Sequence, residues 1–422
     1  MQLKNFCITL APMVKKLLVS LVFLFLGVQA NAQNTFSISG IVRDQKDGLP
    51  GAGVYLSGYK IATVADNDGK FRINNLKPGN YDLLVQMVGY LPFSKNVIIS
   101  DKSVQVNLVL KENAVQLDEV VIRADPNRAK YVAQFIEMFI GKTPNSAQTK
   151  IKNPNVLIVD YDPTKSLLTV KTNEFLIIEN KALGYRIRYM LDYFEFNSRT
   201  RTIYYSGHPT FEELKNGANK RKKYIANREI AYYGSSQHFF KSLFQGTTKE
   251  EGFIIGKIVK IPNPNRYPDY QINQNLTQLK TLREKTGIRK VAGKIDTGLV
   301  AFWTKQLEMP KFIDKFSRAE VIADTLVHYL NKNLRYLSYT DALCVQYTKE
   351  HESLAYSNSG YWIFRPLDIP DYEISVVNLM QPGVRFYENG GIYDSKSLLY
   401  EGFWAYEKVA DMVPMDYVPL KK

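Results

Sequence analysis

The stretch VADNDGKFRI, Val64 to Ile73, places two aspartates, an asparagine and a glycine in four consecutive positions. That density of oxygen could serve a calcium loop or a catalytic carboxylate pair. An EF-hand loop needs side-chain oxygens at positions 1, 3, 5 and 12, with glycine at 6. With Gly69 as position 6, Asp68 and Asp66 fall on 5 and 3, but Val64 falls on 1 and Asn75 on 12. Two of the strongest ligands are therefore missing, and no partner acid or base lies nearby for catalysis. A turn fits the residues best. Ile61, Thr63, Val64, Phe71 and Ile73 form strands, the acids fold back on their own backbone, and Gly69 takes the positive φ that closes a hairpin.

Other chemistry-bearing residues are sparse. The histidines are His208, His238, His328 and His351. Ser235, Ser236 and His238 lie close together, but the G-x-S-x-G setting of a serine hydrolase elbow is absent. A helix cap beside a half-buried histidine accounts for them. Glu350-His351-Glu352 reads as a solvated turn in a β region. Tyr204-Tyr205 and Tyr232-Tyr233 could stack on sugars, although paired tyrosines in strands usually lie on sheet faces. Lys220, Arg221, Lys222 and Lys223 form the densest basic run, flanked by Lys215 and Arg228. Such a run is ordinarily a solvated loop; as a binding site it would meet an anionic surface such as lipid phosphates or an acidic polysaccharide.

The elements that must carry these residues are mostly strands. The chain has 422 residues, 45% of them hydrophobic and 28 of them tyrosine, which suits several β-rich cores. It opens with Lys15-Lys16, the uncharged stretch LLVSLVFLFLGV (Leu17–Val28) and Ala30-Asn31-Ala32, the three parts of an export signal. Met13 as the start gives a more ordinary signal. The apolar stretch is too short to span a bilayer, and no later segment is long and apolar enough to do so. No cysteine follows it directly, so a lipidated anchor is not expected. Cys7 leaves with the signal, and Cys344 stands alone as a small buried apolar residue, with no disulfide to form. Removing the signal's three lysines takes the net charge from +14 to +11. After export, that charge points to anionic envelope surfaces rather than to nucleic acid.

From Phe36 to Leu110 the text alternates strand and turn: FSISGIVRD, GVYLSG, ATVADNDGKFRI, YDLLVQMVGY, KNVIIS and SVQVNLVL. Short alternating strands between turn signals indicate a β-sandwich. The order ISGIVRD, GLPGAGVYLSG, TVADNDGKFRINNLKPGNYDLLVQMVGY resembles the carboxypeptidase-regulatory-like domain over about 75 residues. The resemblance implies a seven-stranded, transthyretin-like Greek-key sandwich, related in form to carbohydrate-binding modules and usually without chemistry of its own. It does not extend to a peptidase. A zinc carboxypeptidase needs H-x-x-E and a distant histidine. Here His208 precedes Glu212 by four residues, and H-E-x-x-H is absent.

ENAVQLDEVVIRADPNRAK joins this part to the rest. Leu117 to Ile122 resembles the segment that follows such domains in TonB-dependent transporters of Bacteroidetes-type bacteria, where it could be captured by β-augmentation. An ordinary edge strand is the favoured reading, because the residues from Asn127 onward are too few for a transporter barrel and VPLKK lacks a terminal aromatic. NRAKYVAQFIEMFIG then predicts an amphipathic helix. NVLIVDYD, SLLTVKTNEFLIIEN, GYRIRYMLDYFEFN, RTIYYSG, GFIIGKIVKI, WIFRPLDI and YEISVVNLM read as extended, and YGSSQHFFKSLFQG as a short helix. PNPNRYPDY reads as a loop. Ser317 and Glu320 spell a capping box, but TLVHYL-NKN-LRYLSY reads as a hairpin, which is preferred. A short helix is expected in YEGFWAYEKVADMVP, stopped by Pro414. The wording of this second part resembles a recurrent body of exported Bacteroidetes proteins with no established activity.

The sequence thus predicts a mainly β protein: signal peptide 1–32, sandwich 33–112, linker 113–126, and a β-rich domain 127–422 with a few short helices. The expected role is that of a non-catalytic, exported cell-envelope protein, periplasmic or associated with the outer membrane, without cofactor or metal. The alternatives are a carbohydrate-binding envelope protein serving glycan capture and an accessory of the TonB system.

Overall fold

The computed structural model describes residues 35–113, 125–286, 295–317 and 319–420. The expected export signal and the Leu117–Ile122 segment lie outside the described residues.

Seven strands build the N-terminal sandwich: β1 (Phe36–Arg43), β2 (Gly53–Leu56), β3 (Ala62–Val64), β4 (Lys70–Leu76), β5 (Gly79–Gln86), β6 (Phe93–Ile99) and β7 (Val104–Val109). One sheet runs β4-β1-β7 and the other β3-β2-β5-β6, with β1 and β7 parallel and the other pairs antiparallel. Alternate residues such as Ile38, Val54, Leu83, Val85, Ile99 and Leu108 fill the space between them. VADNDGKFRI is a turn, as expected, but not a paired hairpin. β3 pairs with β2 and β4 with β1, so the turn carries the chain from one sheet to the other. Buried Ala65 sits at the crossing, its N–H bonded to Ala52. Asp66 Oδ1 accepts from the N–H groups of Asp68 (3.0 Å) and Lys70 (2.8 Å), so the acid serves the backbone. Gly69 has φ of 77°, and a Cβ there would lie 2.4 Å from Val42 O.

The second part begins with the expected helix, α1 (Arg128–Ile140), whose Phe135 and Phe139 are fully buried. It packs on a six-stranded sheet of β8 (Thr149–Ile151), β9 (Ile158–Asp162), β10 (Leu167–Lys171), β11 (Leu176–Asn180), β12 (Tyr185–Asn197) and β13 (Thr202–Glu213). Long β12 pairs with β13 along one edge, and with β11 and then β10 along the other. Phe135 and Phe139 meet Phe194 edge-on, a packing that two stacked aromatic rings on one helix face make easy. Helices α2 (Ala218–Tyr232) and α3 (Ser236–Gln245) follow, joined at Gly234.

A third sheet has the order β15-β14-β18-β19-β21, from β14 (Phe253–Pro262), β15 (Phe312–Phe316), β18 (Ala342–His351), β19 (Tyr372–Leu379) and β21 (Leu398–Gly402). A smaller one has the order β16-β17-β20, from β16 (Val327–Asn331), β17 (Leu334–Leu337) and β20 (Val384–Tyr387), which includes the expected TLVHYL/LRYLSY hairpin. Two helices absent from the sequence reading, α4 (Asp269–Thr286) and α5 (Ile295–Glu308), are inserted between β14 and β15. WIFRPLDI is not a strand: Pro366 lacks the N–H a ladder needs, and its carbonyl instead closes a turn with Ile369. The C-terminal helix divides into α7 (Phe403–Tyr406), after the one-turn α6 (Leu354–Ser357), and a 3₁₀ turn at Val409–Asp411. Among the described residues no helix is long and apolar enough to cross a membrane.

Candidate functional site

A concavity lies where the sandwich meets the second part, with a cavity volume of about 370 Å³. Its sandwich wall is the Pro-Gly turn of NNLKPGNY, which brings Lys77, Asn80 and Tyr81 to the rim, and the β2–β3 loop, which brings Tyr59 and Ile61. The opposite wall takes Lys241 and Gln245 from α3, Asn333 from the β16–β17 turn, and Tyr387, Glu388 and Asn389 from the end of β20. Met415 to Val418 close one side.

Backbone bonds hold the two walls together. Gly58 donates to Pro209 O (2.6 Å) and accepts from Met415 N (2.7 Å), and Phe211 N donates to Tyr59 O (3.1 Å). Asn389 Nδ2 donates to Tyr59 Oη at 2.8 Å, and Asn333 Nδ2 to Ile99 O at 3.3 Å. A small apolar contact of Leu84 with Phe175 and Met190 adds to this junction. A cleft made this way presents its groups in fixed positions, which lowers the entropy lost on binding.

The electrostatics of the cleft are close to neutral. Burial drives the Tyr59 and Tyr387 hydroxyls well above their ordinary range and takes Tyr81 to about 12, so all three stay protonated. Burial also lowers Lys241 and raises Asp416. Lys77 and Lys241 face Glu388 and Asp416, two charges of each sign. Asn80 Oδ1 is buried without a hydrogen-bond partner, an acceptor that a ligand hydroxyl would satisfy. The cleft therefore offers neutral hydroxyls, amides and aromatic faces, and no nucleophile paired with a base.

The residues singled out from sequence are scattered. Ser235 caps α3 as expected: its Oγ accepts from His238 N and donates to Tyr232 O at 2.6 Å, so its proton goes to the backbone and not to a base. His238 is buried rather than half-buried. Its Nδ1 accepts from Gly234 N, so Nε2 carries the proton and donates to Glu251 Oε2 at 3.1 Å. Burial lowers its pKa and keeps the ring neutral among Tyr232, Phe253 and Tyr347. Tyr232 and Tyr233 lie at the end of a helix, not in a strand, while Tyr205 packs on Phe139. Glu350-His351-Glu352 is no solvated turn: β18 runs through His351, and Glu352 turns inward against Arg365 (3.5 Å). His208 bonds Asp192 (3.5 Å), not Glu212, since residues four apart on a strand are too distant to share a ligand. Among the described residues no three His, Cys, Asp or Glu gather as a metal site.

The basic run Lys220–Lys223 lies on helix α2 and not in a loop. Tyr224, Arg228, Ala231 and Tyr232 recur at helical spacing, bury one face and pull the run into the helix, with all four basic side chains exposed. Arg228 is committed structurally, donating to Leu183 O (2.7 Å) and lying 3.9 Å over the Tyr185 ring.

Sequence reasoning missed a second feature, a group of buried carboxyls. Glu373 on β19 stands opposite Tyr347, its Oε2 buried without a partner. Burial, with help from Glu350 and Glu352, pushes its pKa up to about 9. Asp411 accepts from Thr143 Oγ1 (2.9 Å) and Asn145 Nδ2 (2.9 Å), and burial raises it to about 6. Strand pairing sets Glu373 opposite Tyr347, and tertiary packing brings Gly234 against both, so no local signal announces the site.

The fold is mainly β, with a seven-stranded, transthyretin-like sandwich at the N-terminus and the cleft at its junction with the second part. Residues 38–122 match the CarboxypepD_reg-like domain family. The TonB-dependent receptor SusC of Bacteroides thetaiotaomicron is 34% identical over 111 residues, 26% of this chain and 10% of that protein. The chain thus spans about a tenth of the length of the curated relative it matches. Among solved structures, a Streptococcal ancillary pilin is 20% identical, with 18% of this chain and 32% of that chain covered and a TM-score of 0.17. A candidate carbohydrate binding protein from Bacteroides uniformis is 14% identical, with 34% and 52% covered and a TM-score of 0.16.

Proposed function

We propose that this chain is a non-catalytic, exported cell-envelope protein with an interaction role, organised as signal peptide 1–32, sandwich 33–112, linker 113–126 and β-rich domain 127–422. Its ligand site is the cleft between the sandwich and the β-rich domain. The observation that carries the reading is the lining of that cleft: protonated tyrosines, amides and balanced charges, one amide oxygen being unpartnered. Such a surface suits a neutral polyhydroxylated ligand, that is, a short glycan, better than an ion or an apolar molecule. The likeness of part of the chain to a TonB-dependent receptor supports service beside that transport system. The exposed run Lys220–Lys223 supports a further contact with anionic envelope components.

The test is calorimetric titration with a panel of neutral oligosaccharides, using the parent and the Asn80→Leu and Lys241→Ala variants. Binding by the parent that weakens about tenfold in either variant, the cost of one or two lost hydrogen bonds, is expected. Absence of binding across the panel, or equal binding by all three proteins, would sink the glycan reading.

A further inference from the structure

Between β14 and β15 the chain leaves its sheet and returns. Pro262 and Phe312 pair directly, and α4 and α5 make the excursion between them. The base of this arm is clamped. Asn263 N donates to Lys311 O (2.9 Å), Arg266 Nε to Met309 O (2.9 Å), and Tyr267 N to Gln306 Oε1 (2.9 Å). The arm is therefore held firmly where it joins the sheet.

Several of its described apolar side chains are uncovered, while Leu276, Leu279, Val300 and Trp303 are half-buried. Ile272 is fully buried, but Leu299 is 45% exposed, Phe302 42% and Leu307 49%. Among the described residues of the arm, these side chains form an apolar surface that something else could cover. Charge says by what. Residues 263–316 hold ten Lys and Arg against five Asp and Glu, a net of +5. Two copies of such an arm would repel each other. An anionic bilayer attracts the basic groups and accepts aromatic and leucine side chains at its headgroup boundary.

We propose that the α4–α5 arm docks on an anionic lipid bilayer, with Leu299, Phe302 and Leu307 entering the interface and the exposed Lys280 and Lys305 meeting lipid phosphates. The reading is independent of what the cleft binds. It is tested by co-sedimentation of the full chain with vesicles of phosphatidylcholine and phosphatidylglycerol, and with phosphatidylcholine alone. Two variants accompany it: Leu299→Ser/Phe302→Ser/Leu307→Ser and Lys280→Glu/Lys305→Glu. The parent should bind the anionic vesicles and leave them at high salt. Each variant should lose binding by about tenfold or more, with an unchanged melting temperature. If the serine variant fails to fold, the charge variant decides alone. Equal binding to neutral vesicles, no binding to either, or unaltered binding by the folded variants would overturn the proposal. So would loss of binding in the Lys220–Lys223 quadruple serine variant with the arm variants unaffected. A parent dimer that dissociates in the serine variant would replace the lipid with a second copy of the chain.

Discussion

Glu373→Gln should stabilise the protein, and by more at higher pH. The Glu373 carboxyl is 7% exposed, its Oε2 has no partner, and two further glutamates face it. Its pKa is pushed up to about 9 in the folded protein, against an ordinary value of 4.5. A carboxyl whose folded pKa lies above its unfolded one binds its proton more tightly when folded. Stability is therefore greatest below the unfolded pKa and falls as pH rises toward the folded one. At about 1.4 kcal/mol per pH unit, the loss is under about 1 kcal/mol at pH 5 and about 3 kcal/mol at pH 7, an upper bound if the site relaxes or admits water. Glutamine keeps the shape and removes the titration. Thermal melts of parent and variant at pH 5 and pH 8 should diverge, with the variant ahead by several degrees at pH 8 and nearly level at pH 5. Using the difference between the two proteins cancels the other buried groups, Asp411 and His238 included. An advantage of equal size at both pH values, or none, would refute the reasoning that burial of this charge is the cause.

Gly234→Ala should destabilise by about 1–3 kcal/mol, read from urea melts; Gly234 has φ of 76°, and a Cβ would lie 2.8 Å from the Tyr347 ring and 2.9 Å from Glu373 Oε2. Asp66→Ala should cost about 1–2 kcal/mol through two lost backbone hydrogen bonds, and melts of the parent with calcium and with chelator should coincide. Replacing Lys220, Arg221, Lys222 and Lys223 by Ser should leave the fold intact, because relief of cations near a helix N-terminus offsets the lower helix propensity of Ser; association with outer-membrane vesicles should fall and added salt should mimic the loss.

Legibility from sequence followed the strength of local pattern. The sandwich strands alternate cleanly, and α1 repeats its aromatics at helical spacing, so both could be read directly. The helix α4 could not, since DYQINQNLTQLKTLREKT offers few apolar positions and, among its described side chains, buries only Ile272 fully. The basic run was misplaced because its own residues are indifferent to helix or loop. The decision comes from Tyr224, Arg228 and Tyr232 further along. The turn at Asp66 was recognisable from its residue types, but which sheets it joins depends on pairing with β1 and β2, far away in sequence. The cleft is the least legible feature. Tyr59, Asn80, Lys241 and Asn389 are unremarkable where they stand, and become a site only when distant segments meet.

The direct pairing of Pro262 with Phe312 has a consequence for how this molecule could change over time. Because the sheet closes beneath the helical arm, the arm is an appendage whose loss leaves two neighbouring strands already in register. A short reverse turn could take the place of residues 264–310 without disturbing a single rung of the ladder. Lineages could therefore lengthen, trim or exchange this excursion while keeping the sheet beneath it, so that the proposed docking arm and the proposed ligand cleft can evolve separately.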